Sequence, residues 1–247
     1  MIFFLSDFGT SDVYAGVVEA VIATLAPSAR VVHLTHGVPP QDLRHGSFQL
    51  YAAAPHLPAG SIVLAVVDPG VGSARRAIVV EGERHTWVAP DNGLLEAALT
   101  IDRPRRAFAI VDPSYRLASV STTFHGRDVF GPAAAHLALG VDPSALGPPV
   151  PLDQLTSLGI APADRSGEIW TFDRYGNAIT TIRSPAAPPR SVRAGDHELP
   201  YATCYAEVAP GRALALPGSS GLVELSVRDG SARDVLGLAA GLRVSLD

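Results

Sequence analysis

Apolar positions in the first half of the chain follow two alternating rhythms. Short runs rich in β-branched and aromatic residues lie at Ile2 to Leu5, Arg30 to Leu34, Ile62 to Val67 and 107–111. They are too short for helices and read as buried strands. Between the first two, Tyr14, Val17, Val18, Val21, Ile22 and Leu25 recur at helical spacing, with Pro27 as the stop and Ser11 or Asp12 as a candidate cap. Pro39-Pro40 opens a second helical stretch carrying Leu43, Phe48, Leu50 and Tyr51. A third runs from the polar segment Thr123 to Asp128 as far as about Leu139, closed by Gly140. Ala77 to Val80 and Thr86 to Val88 predict a hairpin across Gly82. Strands alternating with helices predict a layered α/β domain with a mostly parallel sheet.

The rhythm changes after Gly140. Residues 142–165 hold five prolines and little periodicity, the marks of a connecting stretch. Beyond them come short β-like runs at 168–172, 178–183, 190–194, 213–216, 222–227 and 242–246. Turn residues such as Tyr175-Gly176-Asn177 and Asp229-Gly230-Ser231 separate them, which suggests a small sandwich or barrel. The expected organisation is an α/β domain over 1–150, a linker over 151–165 and a smaller all-β, barrel-like domain over 166–247.

Composition narrows the functional classes. With 247 residues, 47% hydrophobic and 17% charged, the chain can bury a sizeable core, which excludes a disordered protein. A net charge of −5 argues against sequence-independent binding of nucleic acid, which needs a basic footprint. The single cysteine, Cys204, rules out an intrachain disulfide and fits a reducing compartment. No histidine or basic stretch adjoins it, so it reads as core or strand filler rather than a nucleophile. Met1 to Leu5 is cut short by Ser6-Asp7, well before the length of a signal peptide's apolar region. No apolar run reaches the roughly 18 residues of a membrane span. The expectation is a soluble, cytoplasmic protein with neither membrane nor nucleic acid as partner.

Candidate chemistry gathers where strands end. Ile62 to Val67 stops on Asp68, turns through Pro69-Gly70-Val71-Gly72 and delivers Arg75 and Arg76. Ser6 to Asp12, Asp91-Asn92 and His125 to Asp128 occupy similar places, and the carboxyl ends of parallel strands share one edge. Asp68, Arg75 and His125 could therefore converge on one water, holding it and favouring its deprotonation. The simpler alternative is that Asp68 caps a turn and pairs with Arg75 or Arg76. His33, His36, Asp42 and His45 offer metal-ligand chemistry but lack a fourth ligand at a recognised spacing, so no metal is expected there. Gly70-Val71-Gly72 lacks both the third glycine of a dinucleotide fingerprint and the Lys-Ser/Thr of a P-loop.

Six segments, taken in order, carry a resemblance. They are Leu5-Ser6-Asp7-Phe8-Gly9-Thr10 with Asp12 and Tyr14; Val67-Asp68-Pro69-Gly70-Val71-Gly72 with Arg75; and Ala89-Pro90-Asp91-Asn92-Gly93. Next come Thr123-Phe124-His125-Gly126-Arg127-Asp128; Asp173-Arg174-Tyr175-Gly176-Asn177; and Ser219-Ser220-Gly221 with Gly230-Ser231-Ala232. Together they resemble the S-adenosylmethionine (SAM) hydroxide adenosyltransferase family, SAM hydrolases related to the bacterial fluorinase and chlorinase.

The resemblance implies a homotrimer in which SAM lies between the N-terminal domain of one subunit and the C-terminal domain of its neighbour. It implies displacement at ribose C5′ by water or hydroxide, giving adenosine and methionine, with SAM as substrate and no metal or redox cofactor. The family's water-handling triad falls on Asp68, Arg75 and His125, its ribose-binding aspartate on Asp7. The contact to the methionine ammonium falls on Asp173, the adenine contact on Asn177 and a methionine carboxylate contact on Ser219. Phe124, Gly126 and Tyr175 fall on positions that line the ligand. Halogenation is disfavoured, because a carboxylate at the nucleophile's position repels halide and can hydrogen-bond water. Gln41 is a departure, standing where the fluorinase has an aromatic over the ligand. A non-catalytic SAM or adenosine sensor is the alternative from another class, although binding alone does not require three ionisable groups at the reacting carbon.

Overall fold

The computed structural model describes residues 1–247, which divide into two compact units, Met1–Gly159 and Ile160–Asp247. In the first unit, β1 (Ile2–Ser6) is flanked by β2 (Val31–Thr35) and β3 (Ile62–Val66), and β5 (Thr86–Pro90) follows β3, all four parallel. The sheet continues into β4 (Ala77–Gly82) and β6 (Pro104–Ala109), with β4 antiparallel to both neighbours. Period-two alternation sorts the side chains onto two faces. Ile2 and Phe4 of β1 and Ile62, Leu64 and Val66 of β3 bury into one core, whereas Phe3, Leu5, Val63, Ala65 and Val67 bury into the other.

Helices cover both faces. Val18 and Ile22 of α1 (Tyr14–Leu25) and Ala133 to Ala135 of α4 (Gly131–Ala138) fill the first core. Leu50 of α2 (Leu43–Ala53) and Ala98 of the short α3 (Ala98–Ile101) belong to the second. The chain leaves β1 over one face to reach β2, then returns over the other to β3. The carboxyl ends of β1 and β3 thus flank a topological switch point, where doubly wound sheets take their ligands.

Several local expectations are corrected. Neither Ser11 nor Asp12 caps α1: the residue before the helix is Val13, already helical at φ −78° and ψ −6°, and no side chain caps it. A capping side chain needs extended backbone at that position. The helix expected after Thr123 opens instead as one π turn, Gly126–Phe130, before α4. Pro132 has no N–H to give the Asp128 carbonyl, which accepts from Leu117 N at 2.9 Å. The amide of Gly131 reaches back to Gly126 O.

The second unit is an antiparallel sheet of seven strands in the order β10-β9-β13-β7-β8-β12-β11. They are β7 (Ser166–Phe172), β8 (Ala178–Arg183), β9 (Ser191–Ala194), β10 (His197–Pro200), β11 (Ala213–Pro217), β12 (Leu222–Val227) and β13 (Arg243–Leu246). Tyr201, just past β10, bridges to Ala215 of β11, so the sheet curls into a nearly closed barrel around Ile169, Val192, Leu225 and Val244. Cys204 is exposed beside a 3-10 turn, not in a strand or the core, because the loop after β10 carries it outward. No helix is long and apolar enough to cross a membrane.

Candidate active site

The direction of β4 explains why Arg75 reaches the site. Ala77, its first residue, pairs with Pro90, the last of β5, so the segment entering β4 lies at the carboxyl edge where Asp68 leaves β3. Between them, Gly72 is at φ +77°, and a Cβ there would run into the carbonyl oxygen of Thr122. Only glycine lets this loop pack so closely on the segment that leads to His125.

Arg75 joins the three. Its Nε donates to Asp68 Oδ1 at 2.9 Å, and its Nη2 donates to Asp68 Oδ2 and, at 2.7 Å, to His125 Nδ1. The pair is nearly dry, the Arg75 and Asp68 side chains being 10% and 6% exposed. The guanidinium also lies over the ring of Phe130, 5.2 Å from its centroid. A guanidinium only donates, so Nδ1 accepts and the neutral ring carries its proton on Nε2. Burial, and then the neighbouring Arg75 charge, push the His125 imidazolium below the ordinary histidine range; Asp68 pulls the other way. Asp68 therefore pairs with Arg75, as the simpler alternative has it, and His125 closes the group. Arg76 turns away to Asp91, donating from Nε at 2.7 Å.

Beside His125, Phe124 stands edge-on to Phe8 and Tyr14, with centroids 5.7 and 5.3 Å away. Gly126 is buried beneath them, and a Cβ there would meet Phe8 Cζ at 2.9 Å. Asp7 sits in the loop after β1, where Oδ2 accepts from the backbone amide of Gln41 at 2.8 Å. Asp7 and the three joined residues share no hydrogen bond. Gln41 is at φ +66°, a left-handed conformation for a residue with a Cβ, and it aims that amide at the carboxylate. His33, within β2, and His36, just past its end, are bonded to one another: His33 Nδ1 lies 2.7 Å from His36 Nε2. No group of three or more histidine, cysteine or acidic side chains is placed to hold an ion.

In the second unit Asp173 and Asn177 come together. Asp173 Oδ1 accepts from the amides of Tyr175 and Asn177, and Oδ2 accepts from Asn177 Nδ2, each at 2.9 Å. This is the carboxylate-held turn that Asp and Asn favour. It leaves the Tyr175 ring 78% exposed on the rim of an open cleft of about 670 Å³, lined also by Asn177, Tyr205 and Val227. Ser219 lies on the exposed turn between β11 and β12, outside the hydrogen bonds of Asp173 and Asn177. Sequence reasoning missed Tyr205, a lone aromatic in an irregular stretch. Its hydroxyl donates to the buried Glu224, and burial together with that bond raises its pKa to about 12. The grip of the Gln41 amide was missed as well, since a backbone contact leaves no signal in residue type.

A nearly dry acid–guanidinium pair with a half-buried imidazole, at the ligand edge of a doubly wound sheet, defines an enzyme acting on a small molecule. Residues 2–147 match the N-terminal domain, and residues 167–245 the C-terminal domain, of the SAM hydroxide adenosyltransferases. The chain belongs to that family. It is similar to the (R)-S-adenosyl-L-methionine hydrolase of Thermus thermophilus, with 50% identity covering 99% of this chain and 98% of the relative. The enzyme of the same name from Salinispora tropica is 40% identical, over 98% and 95%. A crystal structure of an uncharacterized conserved protein from Thermotoga maritima superposes at a TM-score of 0.91, with 32% identity and full coverage of both chains. Fluorinases match further off, at 22 to 23% identity.

Proposed function

We propose that this protein hydrolyses SAM to adenosine and L-methionine by attack of water at ribose C5′. The observation that carries the reading is the nearly dry Asp68–Arg75 pair joined to His125 at the switch-point edge. The water oxygen bonds to C5′ while the C5′–S bond breaks and its electron pair goes to sulfur. Methionine leaves as a neutral thioether, so the leaving group needs no proton and the reaction needs no cofactor. One proton is released for each SAM consumed.

The hydrogen bonds support the following roles. Arg75 cannot accept the water's proton, and the Nδ1 lone pair of His125 is committed to Arg75. Each Asp68 oxygen accepts one bond from Arg75 and keeps a second lone pair, so Asp68 takes the proton. His125 Nε2–H orients the water, and Arg75 fixes the other two. Hydroxide meeting a sulfonium cancels charge on the way to the transition state, so exclusion of bulk water favours it.

In this reading Asp7 holds the ribose hydroxyls, while Phe124 and Gly126 line the same side. Asp173 meets the methionine ammonium, Asn177 meets adenine between Tyr175 and Tyr205, and Ser219 takes the carboxylate. An aromatic as exposed as Tyr175 supports a site that a second subunit completes; that the assembly is a cytoplasmic homotrimer rests on family likeness. The relatives' name specifies an R form, so the assay uses both sulfonium epimers of SAM. Equimolar adenosine and methionine by chromatography is the expected result. SAM consumed without adenosine would contradict the proposal.

A further inference from the structure

A second chain of hydrogen bonds in the first unit has no part in this chemistry. Ser6 Oγ, fully buried at the end of β1, lies 2.7 Å from His36 Nδ1. His36 Nε2 lies 2.7 Å from His33 Nδ1, and His33 Nε2 lies 3.1 Å from Glu19 Oε2 on α1. The Glu19 carboxylate only accepts, which fixes the order when both rings are neutral. His33 Nε2–H donates to Glu19, His36 Nε2–H donates to His33, and the Ser6 hydroxyl donates to His36. Ser6 Oγ accepts in turn from the amide of Phe8 at 3.3 Å.

His36 holds the loop after β1 at two points. Its side chain accepts from Ser6, and its carbonyl accepts from the Gly9 amide at 2.8 Å. Its ring stands edge-on to the buried Phe4, with centroids 4.7 Å apart, so it cannot turn without disturbing the core. Asp7 lies between the two anchored residues. The one backbone amide bonded to its carboxylate, that of Gln41, comes from the loop His36 begins.

We propose that His36 is a positioning residue for Asp7, holding the 6–9 and 36–41 loops in the register that brings the Gln41 amide to the Asp7 carboxylate and so setting affinity for the ribose. This rests on the hydrolase reading above. A residue that merely filled space would leave ligand affinity and turnover to fall together with stability. A positioning residue separates them.

The test uses the full-length protein, with adenosine binding by calorimetry and SAM turnover measured side by side. His36→Ala is expected to weaken adenosine about tenfold, the worth of one well-placed hydrogen bond. The KM for SAM rises by a similar factor while kcat stays within about threefold. His36→Asn, whose amide oxygen can accept from Ser6 as Nδ1 does, restores adenosine affinity to within about threefold of the parent. Ser6→Ala, a smaller change than His36→Ala, weakens adenosine in the same direction. The effect runs through Asp7, so the His36→Ala/Asp7→Ala pair binds no more weakly than Asp7→Ala alone. Additive losses in that pair, unchanged affinity in His36→Ala and Ser6→Ala, or failure of His36→Asn to restore binding would overturn the proposal. A parent protein that neither binds adenosine nor releases it from SAM would sink the hydrolase reading itself and this inference with it. That outcome is distinct from an active parent with indifferent His36 variants.

Discussion

Arg75 is asked to satisfy two acceptors at once with little water to help, and it does so because its donors form a rigid fork. The carboxylate takes one side of the fork, the imidazole the end of it, and Phe130 supports the plane from below. Each partner is then restricted in what it can do chemically. Asp68→Ala is expected to abolish adenosine release while leaving SAM affinity within about an order of magnitude, a loss confined to the transition state. Calorimetry beside the turnover assay checks it, and equal losses of affinity and rate would contradict it. The His125 proton gives a second prediction. Burial and the Arg75 charge hold its pKa below the ordinary value near 6.5, so the ring is neutral and accepting above that pH. Acid adds a proton at Nδ1, which then faces the guanidinium, and the bond is lost. A profile of kcat/KM is therefore expected to be flat from pH 7 to 8 and to fall only below about pH 6.5. An acid limb centred above that value would contradict the assignment.

At the scale of elements, the alternation of apolar residues told most of the first sheet, because Ile2 to Leu5 and Ile62 to Val67 are buried on both faces and nothing else fits so short a run. The meeting of Asp68 and Arg75 was legible from strand ends, whereas His125, well past the end of β6 at Ala109, was only a candidate there and reaches Arg75 from the turn before Gly126. What escaped were elements made by context. β10 is an edge strand of four residues ending in Pro200, and Pro at an edge reads as a turn. The π turn at Gly126 depends on a carbonyl that Pro132 leaves free. The hairpin of β4 and β5 was expected, but not the buried acid that supports its turn. Asp102, 1% exposed, accepts from the amides of Arg84 and His85 and from Trp87 Nε1 at 2.7, 3.0 and 2.8 Å. Asp102→Ala strands three donors and is expected to cost about 3 kcal/mol or more in urea unfolding. A loss below about 1 kcal/mol would mean that water replaces the carboxylate.

For the molecule as a whole, each of the two units carries its own share of the proposed ligand-binding residues. Asp7, Asp68, Arg75 and His125 belong to the first unit; Asp173, Asn177 and Ser219 belong to the second. Fold class follows from the change in rhythm after Gly140, because period-two runs with Gly-rich turns build antiparallel sheets and helical spacing does not. Assembly leaves no such mark in one chain; the proposed trimer rests on family likeness, and the exposed Tyr175 supports only a site shared with a second subunit. Light scattering is expected to give about 77 kDa, three chains of 25.7 kDa, at concentrations where adenosine binds. A monomer that binds adenosine at full strength would contradict a shared site.

The account turns on which carbon the water attacks, and isotope labelling reads that directly. With SAM in ¹⁸O-enriched water, the label is expected in the 5′-hydroxyl of adenosine, with methionine unlabelled. Label in methanol, or release of 5′-methylthioadenosine in place of adenosine, would place the attack at another carbon of the sulfonium and contradict it.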